Sequence, residues 1–330
     1  MRFFLTFIFS IFFISCKPVS KSKSIRGFQL GTPYIIKHDA QKDKNSFRTD
    51  IDSIFFKINR SMSTYKLDSD ISKINNGHEV KVDSFFREVY FKSDEIWKLT
   101  NGAFDPTVGS LVNAYGFGPN KNQFNELSSK QLDSILKITG WDKIYLNDEG
   151  VLLKNDENIY IDFNAIAKGY TVDVISKYLE KIGAKNYLVE IGGEISAKGL
   201  SPESKMPWKI GIDNPKSKLF ERNIFDTFSL FNRSIATSGN YRHYRVNEKT
   251  GKKYVHTIDP RSGYPKESNI LSVSVTANNC MTADAWATSL MVLSFEKGKE
   301  IVEKNQDLEA LWILSDGKKL KSIYSSGWIK

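Results

Sequence analysis

Histidine, cysteine and the familiar nucleotide-binding signatures are scarce in this chain. Its four histidines, at positions 38, 78, 243 and 256, are too dispersed to indicate a zinc site. The sequence has no Walker loop, no HExxH pair and no serine of the nucleophile-elbow type. Gly116 and Gly118 lack a third glycine and a preceding strand with a ribose-binding acid, so a Rossmann fold is weakly supported. These absences exclude most short signatures by which an enzyme is recognised.

Long apolar runs are also absent after the first 16 residues. The stretch "MRFFLTFIFSIFFISC" is too short for a membrane-spanning helix but is typical of a signal-peptide core. The sequence therefore predicts a signal peptide over residues 1–15 and a lipid-bearing N-terminus at Cys16, with an ordinary or uncleaved signal as the alternative. Cys280 then has no disulfide partner, and we interpret it as a small core residue.

Charge of one sign is not gathered in any block. The formal net charge of +9 is spread along the chain and does not indicate nucleic-acid binding. Residues 16–26 form a basic linker that could be attracted to an anionic membrane by roughly 1 kcal/mol per cation, although a solvated linker is equally compatible. No repeat, low-complexity tract or long Pro/Gly linker divides residues 27–330, which we assign to one intertwined domain.

The apolar periodicity predicts an α+β fold. Helical stripes occur at 49–62, at 84–100 with Asp83 as the N-cap, at 129–138 and at 282–293. Three short runs, "KIYLN", "VLLKN" and "NIYIDF", indicate a β meander. Further strands are predicted in "FQLGTPYIIKH", "NYLVEI", "PWKIGID", "DTFSLF", "YRHYRV", "KKYVHTI" and "NILSVSVTA". The helices and strands do not alternate strictly, which favours α+β over α/β.

The stretch "DFNAIAKGYTVD", residues 162–173, is rich in small and polar residues at a strand-to-helix corner. One interpretation is a capped helix with a solvated lysine. The other is a corner that holds a charged ligand. The helix that follows is predicted to bury one face, formed by Ile166, Tyr170, Val174, Tyr178 and Ile182.

Other polar corners allow a structural and a functional interpretation. "GAFDPTVGSL" (102–111) is a helix-terminating turn or a close backbone approach, and "LVEIGGEI" (188–195) is a hairpin turn or a place where a ligand meets bare backbone. "SIATSGNYR" and "VHTIDPRSGYP" add hydroxyl, amide and charged groups. Asp284 and Thr288 are four residues apart and therefore share one helix face.

Taken together and in this order, "GTPY", "FDPTVGSL", "DFNAIAKGYTVD", "LVEIGGEI", "ATSGNYR", "HTIDPRSGYP" and "TADAWATSLMVL" resemble the ApbE family of FAD:protein FMN transferases. The resemblance covers most of residues 27–330. It implies an ApbE-like, T-fold-like arrangement of intertwined β-sheets with packed helices. It also implies Mg²⁺-dependent transfer of FMN from FAD to a serine or threonine hydroxyl of another protein, with release of AMP. Mn²⁺ could replace Mg²⁺ in an all-oxygen site.

The resemblance also implies roles for individual residues. The metal would be held by Asp284, Thr288 and the backbone carbonyl of Ala165, so residues 164–166 should be non-helical and the helix should begin near Ala167. The FAD-contacting positions are Leu30, Tyr65, Ala103, Phe104, Asp105, Asp162, Lys168 and Ile258. Asp284 and His256 are the catalytic candidates, and His256 suits proton transfer or phosphate binding near neutral pH; a structural histidine is the alternative. Leu30, Glu194 and Asn240 depart from the Met, Asp and Asp that are commoner in the family.

Three functions remain open at this stage. The first is flavinylation of a subunit of a membrane redox complex or of another exported flavoprotein, by an enzyme lipid-anchored at the inner membrane and facing the periplasm. The second is hydrolysis of FAD to FMN and AMP at the same site. The third is a non-catalytic flavin-binding lipoprotein, against which the intact Asp284 and Thr288 pair argues.

Overall fold

The computed structural model describes residues 22–119, 126–217, 223–240, 244–246, 253–317 and 319–328. The predicted signal peptide and Cys16 lie outside the described residues. The fold begins with strand β1 (Lys23–Gln29), so the last four residues of the predicted linker belong to the domain. The reason is that Ile25 is buried and its backbone pairs opposite Ile36, which holds this segment in the sheet.

The described residues form one large sheet and three separate strand pairs. The large sheet contains β1, β2 (Thr32–His38), β5 (Tyr187–Ile191), β6 (Glu194–Lys198), β9 (Arg233–Gly239), β12 (Ile270–Ala277), β13 (Glu309–Ser315) and β14 (Leu320–Tyr324), in that spatial order. The pairs are β3 (Ile144–Leu146) with β4 (Leu152–Lys154), β7 (Trp208–Asp213) with β8 (Ile224–Leu230), and β10 (Tyr244–Val246) with β11 (Lys253–Val255). All neighbouring strands are antiparallel.

The structure describes eight α-helices, several of which cover one face of the large sheet. They are α1 (Lys44–Met62), α2 (Asp70–Asn75), α3 (Ser84–Thr100), α4 (Gly109–Ala114), α5 (Ser129–Lys137), α6 (Ala167–Lys181), α7 (Cys280–Val292) and α8 (Phe295–Lys304). Helix α6 packs against α1, β5 and α7, and α7 lies on β9 and β12. The predicted α+β class is confirmed. Among the described helices, none combines the length and the apolar character that crossing a bilayer requires.

The two faces of the sheet are separated by the alternation of side chains along each strand. In β9, Ile235 packs with Trp208 of the β7–β8 pair, whereas the next residue, Ala236, joins the core beneath the helices. In the same way Leu311 faces the β7–β8 pair and Trp312 faces the helices. The functional corner lies on the helical face, where α6 and α7 meet.

Three of the sequence-predicted helix ends are confirmed in detail. The Asp83 carboxylate accepts a hydrogen bond of 2.8 Å from the Phe86 N–H at the start of α3. Helix α3 ends at Asn101, which adopts the left-handed conformation with a φ of 51°. Ser128 and Gln131 form a capping box at the start of α5.

The predicted third strand of the meander is wrong. Residues 158–163 do not pair as a strand, because other groups satisfy their backbone. The Asn75 side chain donates to the Ile161 carbonyl at 2.9 Å and accepts from the Ile161 N–H at 2.8 Å. The Asp162 N–H donates to the Pro106 carbonyl at 2.8 Å. The segment is therefore extended and is held by the Asn75 side chain and the loop at Pro106. It turns sharply at residue 164.

The predicted buried face of α6 is only partly right. Ile166 and Tyr170 are buried as expected, but the later core positions are Val172, Ile175 and Leu179, while Val174 is only partly buried. The cause is that α6 is enclosed between α1, the sheet and α7, so its buried surface is wider than one amphipathic stripe.

Candidate active site

The corner at residues 162–168 is a turn followed by a helix. The Asp162 carboxylate accepts hydrogen bonds from the Asn164 N–H at 2.7 Å and from its side-chain amide at 3.0 Å, which forms a tight polar turn. Residues 164–166 are non-helical and α6 begins at Ala167, as predicted.

Helix α6 receives its N-terminal carboxylate from another helix. Ile166 is the N-cap residue and has no side-chain acceptor to offer. Instead, the Asp284 carboxylate of α7 accepts from the Gly169 N–H at 2.9 Å. An acidic group at this position is stabilised by the positive end of the helix dipole. The plain capping interpretation therefore fails, because the capping group comes from 115 residues away in the chain.

Lys168, Glu194 and Asp284 form a cluster of charges, which we call the acidic corner. Asp284 and Glu194 are only 3% and 2% exposed. The Lys168 ammonium group forms an ion pair with Glu194 Oε1. Glu194 Oε2 is buried and has no hydrogen-bond partner in the part of the chain that the structure describes. The acidic corner thus holds two carboxylates and one ammonium group.

The environment of the acidic corner shifts the ionisation of its members. Burial and, after it, the nearby Glu194 charge raise the pKa of Asp284 to about 8, against the opposing effects of Lys168 and the Gly169 N–H. Burial alone would lower the pKa of Lys168, but the charges of Glu194 and Asp284 outweigh it and raise that pKa. The lysine therefore stays charged, and the carboxylates repel each other.

These features fit a divalent cation with oxygen ligands. When all three groups are ionised, the acidic corner carries one excess negative charge, which is costly to bury without a compensating cation. The unpartnered Glu194 Oε2 points to the same need. Thr288 lies one helical turn beyond Asp284, and its hydroxyl is 3.1 Å from the Ser238 hydroxyl of β9. Carboxylate and hydroxyl oxygens are suitable ligands for Mg²⁺.

Close packing of α6 on α7 makes the acidic corner possible. A Cβ atom at Gly169 would lie 2.4 Å from the Cys280 carbonyl oxygen and 2.7 Å from Asp284 Cβ, so only glycine fits. Asp173, on the same helix, accepts from the N–H groups of Cys280 and Met281, both at 2.8 Å. These contacts fix the N-terminus of α7, and Cys280 itself is a buried core residue as predicted.

Ala165 lies two residues before α6, and its side chain packs against the apolar core. The structure therefore brings the Ala165 segment next to the helix that carries Asp284 and Thr288. Coordination of a metal by the Ala165 carbonyl stays a prediction.

Tyr65 and Asp162, two predicted flavin-contacting residues, lie near each other. Burial and the negative charge of Asp162 both raise the pKa of Tyr65, although 63% of the Tyr65 residue is exposed. Burial and the charges of Asp162 and Tyr65 also raise the pKa of Tyr160. A Cβ at Gly109 would come within 2.6 Å of the Tyr160 ring, which explains the glycine in "TVGSL". An exposed aromatic ring beside an acidic turn is suited to contact a flat, polar ligand.

Four other predicted flavin-contacting residues have structural roles. The side chains of Ala103, Phe104 and Ile258 are buried in apolar clusters, so only their backbone atoms are available to a ligand. Asp105 accepts hydrogen bonds from the Thr107 N–H at 2.8 Å, the Thr107 hydroxyl at 2.6 Å and the Trp141 N–H at 2.9 Å. Asp105 therefore anchors its loop, a role that its position before proline did not indicate.

Leu30 occupies the two-residue turn between β1 and β2. Its φ is 52° and that of Gly31 is 72°, as in a type I′ hairpin turn. A non-glycine residue with positive φ is strained, and such positions occur often at functional sites. Contact of Leu30 with the flavin stays a prediction.

His256 follows β11 and is partly buried, with its ring 6.3 Å from that of Phe117. The next residue, Thr257, donates its hydroxyl to the Asn240 side-chain oxygen at 2.6 Å. Asn240 follows β9, which also carries the Ser238 hydroxyl that contacts Thr288. Strand β9 thus connects the His256 loop with α7.

Sequence reasoning missed three members of the site. Glu194 was noted only for its departure from the family pattern, and its contact with Lys168 was not predicted. Ser238 and Asp173 were not singled out. Asp173 was detectable in principle, because an acid inside the buried stretch of a helix requires a partner. The other two become apparent only when the sheet is assembled.

Comparisons with known proteins agree with this geometry. The sequence model described as "ApbE family" matches residues 30–312. A Haemophilus influenzae protein named FAD:protein FMN transferase is 38% identical, over 92% of this chain and 89% of its own length. One of the same name from Vibrio cholerae is 36% identical, over 99% and 98% respectively. The solved structure of the Vibrio cholerae flavin transferase ApbE has a TM-score of 0.82 and 35% identity, covering 93% of this chain and 98% of that one.

Proposed function

This chain belongs to the ApbE family, and from that membership we propose that it transfers FMN from FAD to a serine or threonine hydroxyl of an acceptor protein, releasing AMP. The observation that carries the proposal is the acidic corner, where α6 and α7 place Asp284, Lys168 and Glu194 together. The relatives named for this activity match almost the whole chain, which includes this corner.

We assign the metal site to Asp284, Thr288 and the Ala165 carbonyl, with Mg²⁺ as the ion and Mn²⁺ as its substitute. A divalent cation held there would supply charge neutralisation for the pyrophosphate. The chain itself supplies the positioning: Asp284 is fixed by the Gly169 N–H, and the Thr288 hydroxyl is oriented by Ser238.

Lys168 and Glu194 prepare the site for phosphate oxygens. The Lys168 ammonium group is held by Glu194 at the first turn of α6, with about a third of its side chain still exposed. It can therefore neutralise charge that develops on a phosphate oxygen as the pyrophosphate bond breaks. Asp162 and Tyr65 would orient the flavin half of FAD, and His256 would accept the proton of the attacking hydroxyl.

We also propose that the enzyme is exported, anchored by lipid on Cys16 and positioned at the inner membrane facing the periplasm. The support is the apolar leader that ends in Cys16 and the basic residues that follow it. An acceptor in a membrane redox complex, or another exported flavoprotein, would then be within reach.

Hydrolysis of FAD to FMN and AMP is the second candidate. It is favoured by the exposure of Asn164 and Tyr65 at the corner, which leaves a path for water to the site. Transfer and hydrolysis share every residue named above and differ only in the attacking oxygen.

The test is incubation of the full chain, in neutral detergent, with FAD, Mg²⁺ and a candidate acceptor. A fluorescent acceptor band that survives denaturation, together with AMP, is expected. We expect Asp284→Asn to lower AMP formation by at least about 100-fold, because the metal site loses its central charge. The matched control is Asp133→Asn, an equal charge change at an exposed position of α5. AMP without a labelled acceptor would establish hydrolysis, and neither product would refute both activities.

A further inference from the structure

A cavity lies where β1 begins, β2 ends and α1 begins. Its volume is 220 Å³ and it is lined by Lys23, Ser24, Ile25, His38, Lys42, Lys44 and Phe47. None of these residues belongs to the acidic corner or to the predicted flavin contacts. Three of the seven are lysines, so the cavity, which we call the N-terminal cavity, has a cationic wall.

His38 provides an unused hydrogen-bonding group in this wall. It is only 1% exposed, and its Nδ1 atom has no hydrogen-bond partner among the residues that the structure describes. The ring packs on Phe47 with 4.2 Å between the ring centroids, which fixes its orientation. A buried ring nitrogen without a hydrogen-bond partner is destabilising. A ligand that accepts a hydrogen bond from Nδ1–H would offset this.

The lysines of the N-terminal cavity are only partly neutralised. Lys42 pairs with Asp50 at 2.5 Å, and the Lys23 ammonium group donates to the Lys42 carbonyl at 3.0 Å. Lys44 forms no ion pair with any residue that the structure describes. This leaves an excess of positive charge along the wall.

The carboxylates nearest in sequence, Asp39 and Asp43, accept hydrogen bonds from other groups, and the Asp39 charge also acts on His38. The Asp43 carboxylate accepts from the Ser46 N–H at 2.9 Å and so caps α1. The Asp39 carboxylate accepts from the N–H groups of Lys185 and Asn186 and from the Asn186 amide. Because Asp43 already satisfies the N-terminus of α1, a ligand anion would be held by the lysines and His38 and not by the helix end.

We propose that the N-terminal cavity binds a phosphate group. Several ammonium groups together with a ring N–H match an ion that carries more than one charge and several acceptor oxygens. The phosphate has two sources: the headgroup of an anionic phospholipid, or a soluble phosphate. This site goes beyond the proposed flavin transfer and does not depend on it.

The position of the cavity makes the lipid source reachable. Lys23 is the second described residue, so the cavity lies where the N-terminal segment enters the fold. Lys23 is the seventh residue after Cys16, so the two are at most about 25 Å apart when the segment is fully extended. If Cys16 carries the lipid, the cavity is therefore held close to the membrane surface.

The first experiment measures the imidazole ¹⁵N shifts of His38 in the histidine-labelled full chain, in neutral detergent, as inorganic phosphate is added. A saturable shift of His38 is expected. Lys44→Ala should weaken the apparent affinity by about tenfold, because one point charge is lost. Lys57→Ala removes the same charge from an exposed position of the same helix and should leave it unchanged.

The second experiment separates the two sources. The protein is placed in nanodiscs of phosphatidylcholine, with or without phosphatidylglycerol, in the absence of free phosphate. A His38 shift that requires phosphatidylglycerol and is lost in Lys44→Ala establishes the lipid headgroup. A shift with inorganic phosphate alone establishes a soluble phosphate. The proposal is overturned if neither changes His38, or if Lys57→Ala weakens the response as much as Lys44→Ala.

Discussion

At the scale of single residues, Glu194 shows how much of the site depends on buried charge. Its two oxygens have different surroundings, since Oε1 pairs with Lys168 and Oε2 has no partner among the described residues. The Glu194 charge also raises the pKa of Asp284, after the larger effect of burial. Glu194 therefore contributes to the negative potential that attracts a cation to the acidic corner.

We predict that Glu194→Gln weakens Mn²⁺ binding by roughly tenfold, which corresponds to about 1.4 kcal/mol. The reason is that the acidic corner loses its excess negative charge. The measurement is a Mn²⁺ titration followed by electron paramagnetic resonance, which does not require turnover. Glu194→Asp keeps the charge, so it should bind Mn²⁺ nearly as well as the unaltered chain. Equal affinities for the glutamine and aspartate variants would contradict this role.

His38 gives a prediction about stability and pH. Burial, with a smaller contribution from the nearby Lys23 charge, lowers the pKa of His38 to about 4, while the Asp39 charge opposes this shift. Above pH 6.5, neither the folded nor the unfolded chain binds a proton here. As the pH falls from 6.5 to 4, His38 becomes protonated in the unfolded chain but stays neutral in the folded chain. The free energy of unfolding therefore decreases, by about 3 kcal/mol in total.

The measurement is the free energy of unfolding at several pH values in a buffer free of phosphate. His38→Leu has no proton to gain, so its stability should fall less between pH 6.5 and 4 than that of the unaltered chain. Carboxylates titrate equally in both proteins and cancel in the comparison. Parallel pH profiles for the two proteins would show that His38 is not buried in its neutral form.

At the scale of secondary-structure elements, the contact between α6 and α7 determines whether the acidic corner exists. Each helix supplies a group that the other needs: Asp284 accepts from the first turn of α6, and Asp173 accepts from the first turn of α7. The two helices are thus joined by reciprocal carboxylate contacts at their N-termini. Gly169 allows the approach.

Gly169→Ala tests this contact. The added Cβ would lie 2.4 Å from a backbone oxygen, so the helices must separate, at about 1–3 kcal/mol of stability. We expect a lower unfolding temperature and, because Asp284 moves away from Lys168, a loss of FMN transfer. Gly298→Ala on α8 is the control, since there the atom closest to the new Cβ would be the flexible end of Leu290, at 3.0 Å, and the Trp312 ring would be at 4.0 Å. Full activity of Gly169→Ala would show that the close approach is not needed.

Elements with strong local signals were predictable from the sequence. Strand β2 and the cap at Asp83 follow from alternation and capping chemistry, whereas residues 23–26 of β1 were assigned to the linker. Strand β9 was instead interpreted as a polar corner, because "SIATSG" is rich in hydroxyls. In the sheet such hydroxyls form hydrogen bonds across strands, as in the 2.8 Å contact of the Thr237 hydroxyl with that of Ser274. The polar residues of this segment are therefore compatible with a central strand.

At the scale of the whole molecule, the site joins segments that are remote in the chain. The family motifs predicted that Asp162, Lys168, Asp284 and Thr288 belong to one site, and the structure brings the segments around Lys168 and Asp284 into contact. The Lys168–Glu194 pair and the Thr288–Ser238 contact could not be predicted, because they depend on how the hairpin of β5 and β6 and strand β9 stack beneath the helices. The spacing of residues in the sequence does not indicate that stacking.

The central claim is that a divalent cation and FAD meet at the acidic corner. The most direct test is anomalous diffraction from crystals of the chain grown with Mn²⁺ and FAD. The account predicts a peak in contact with Asp284, Thr288 and the Ala165 carbonyl oxygen, next to the FAD pyrophosphate, and no such peak for Asp284→Asn. FAD bound in the crystal with the Mn²⁺ peak at other residues, or with no peak at all, would contradict it.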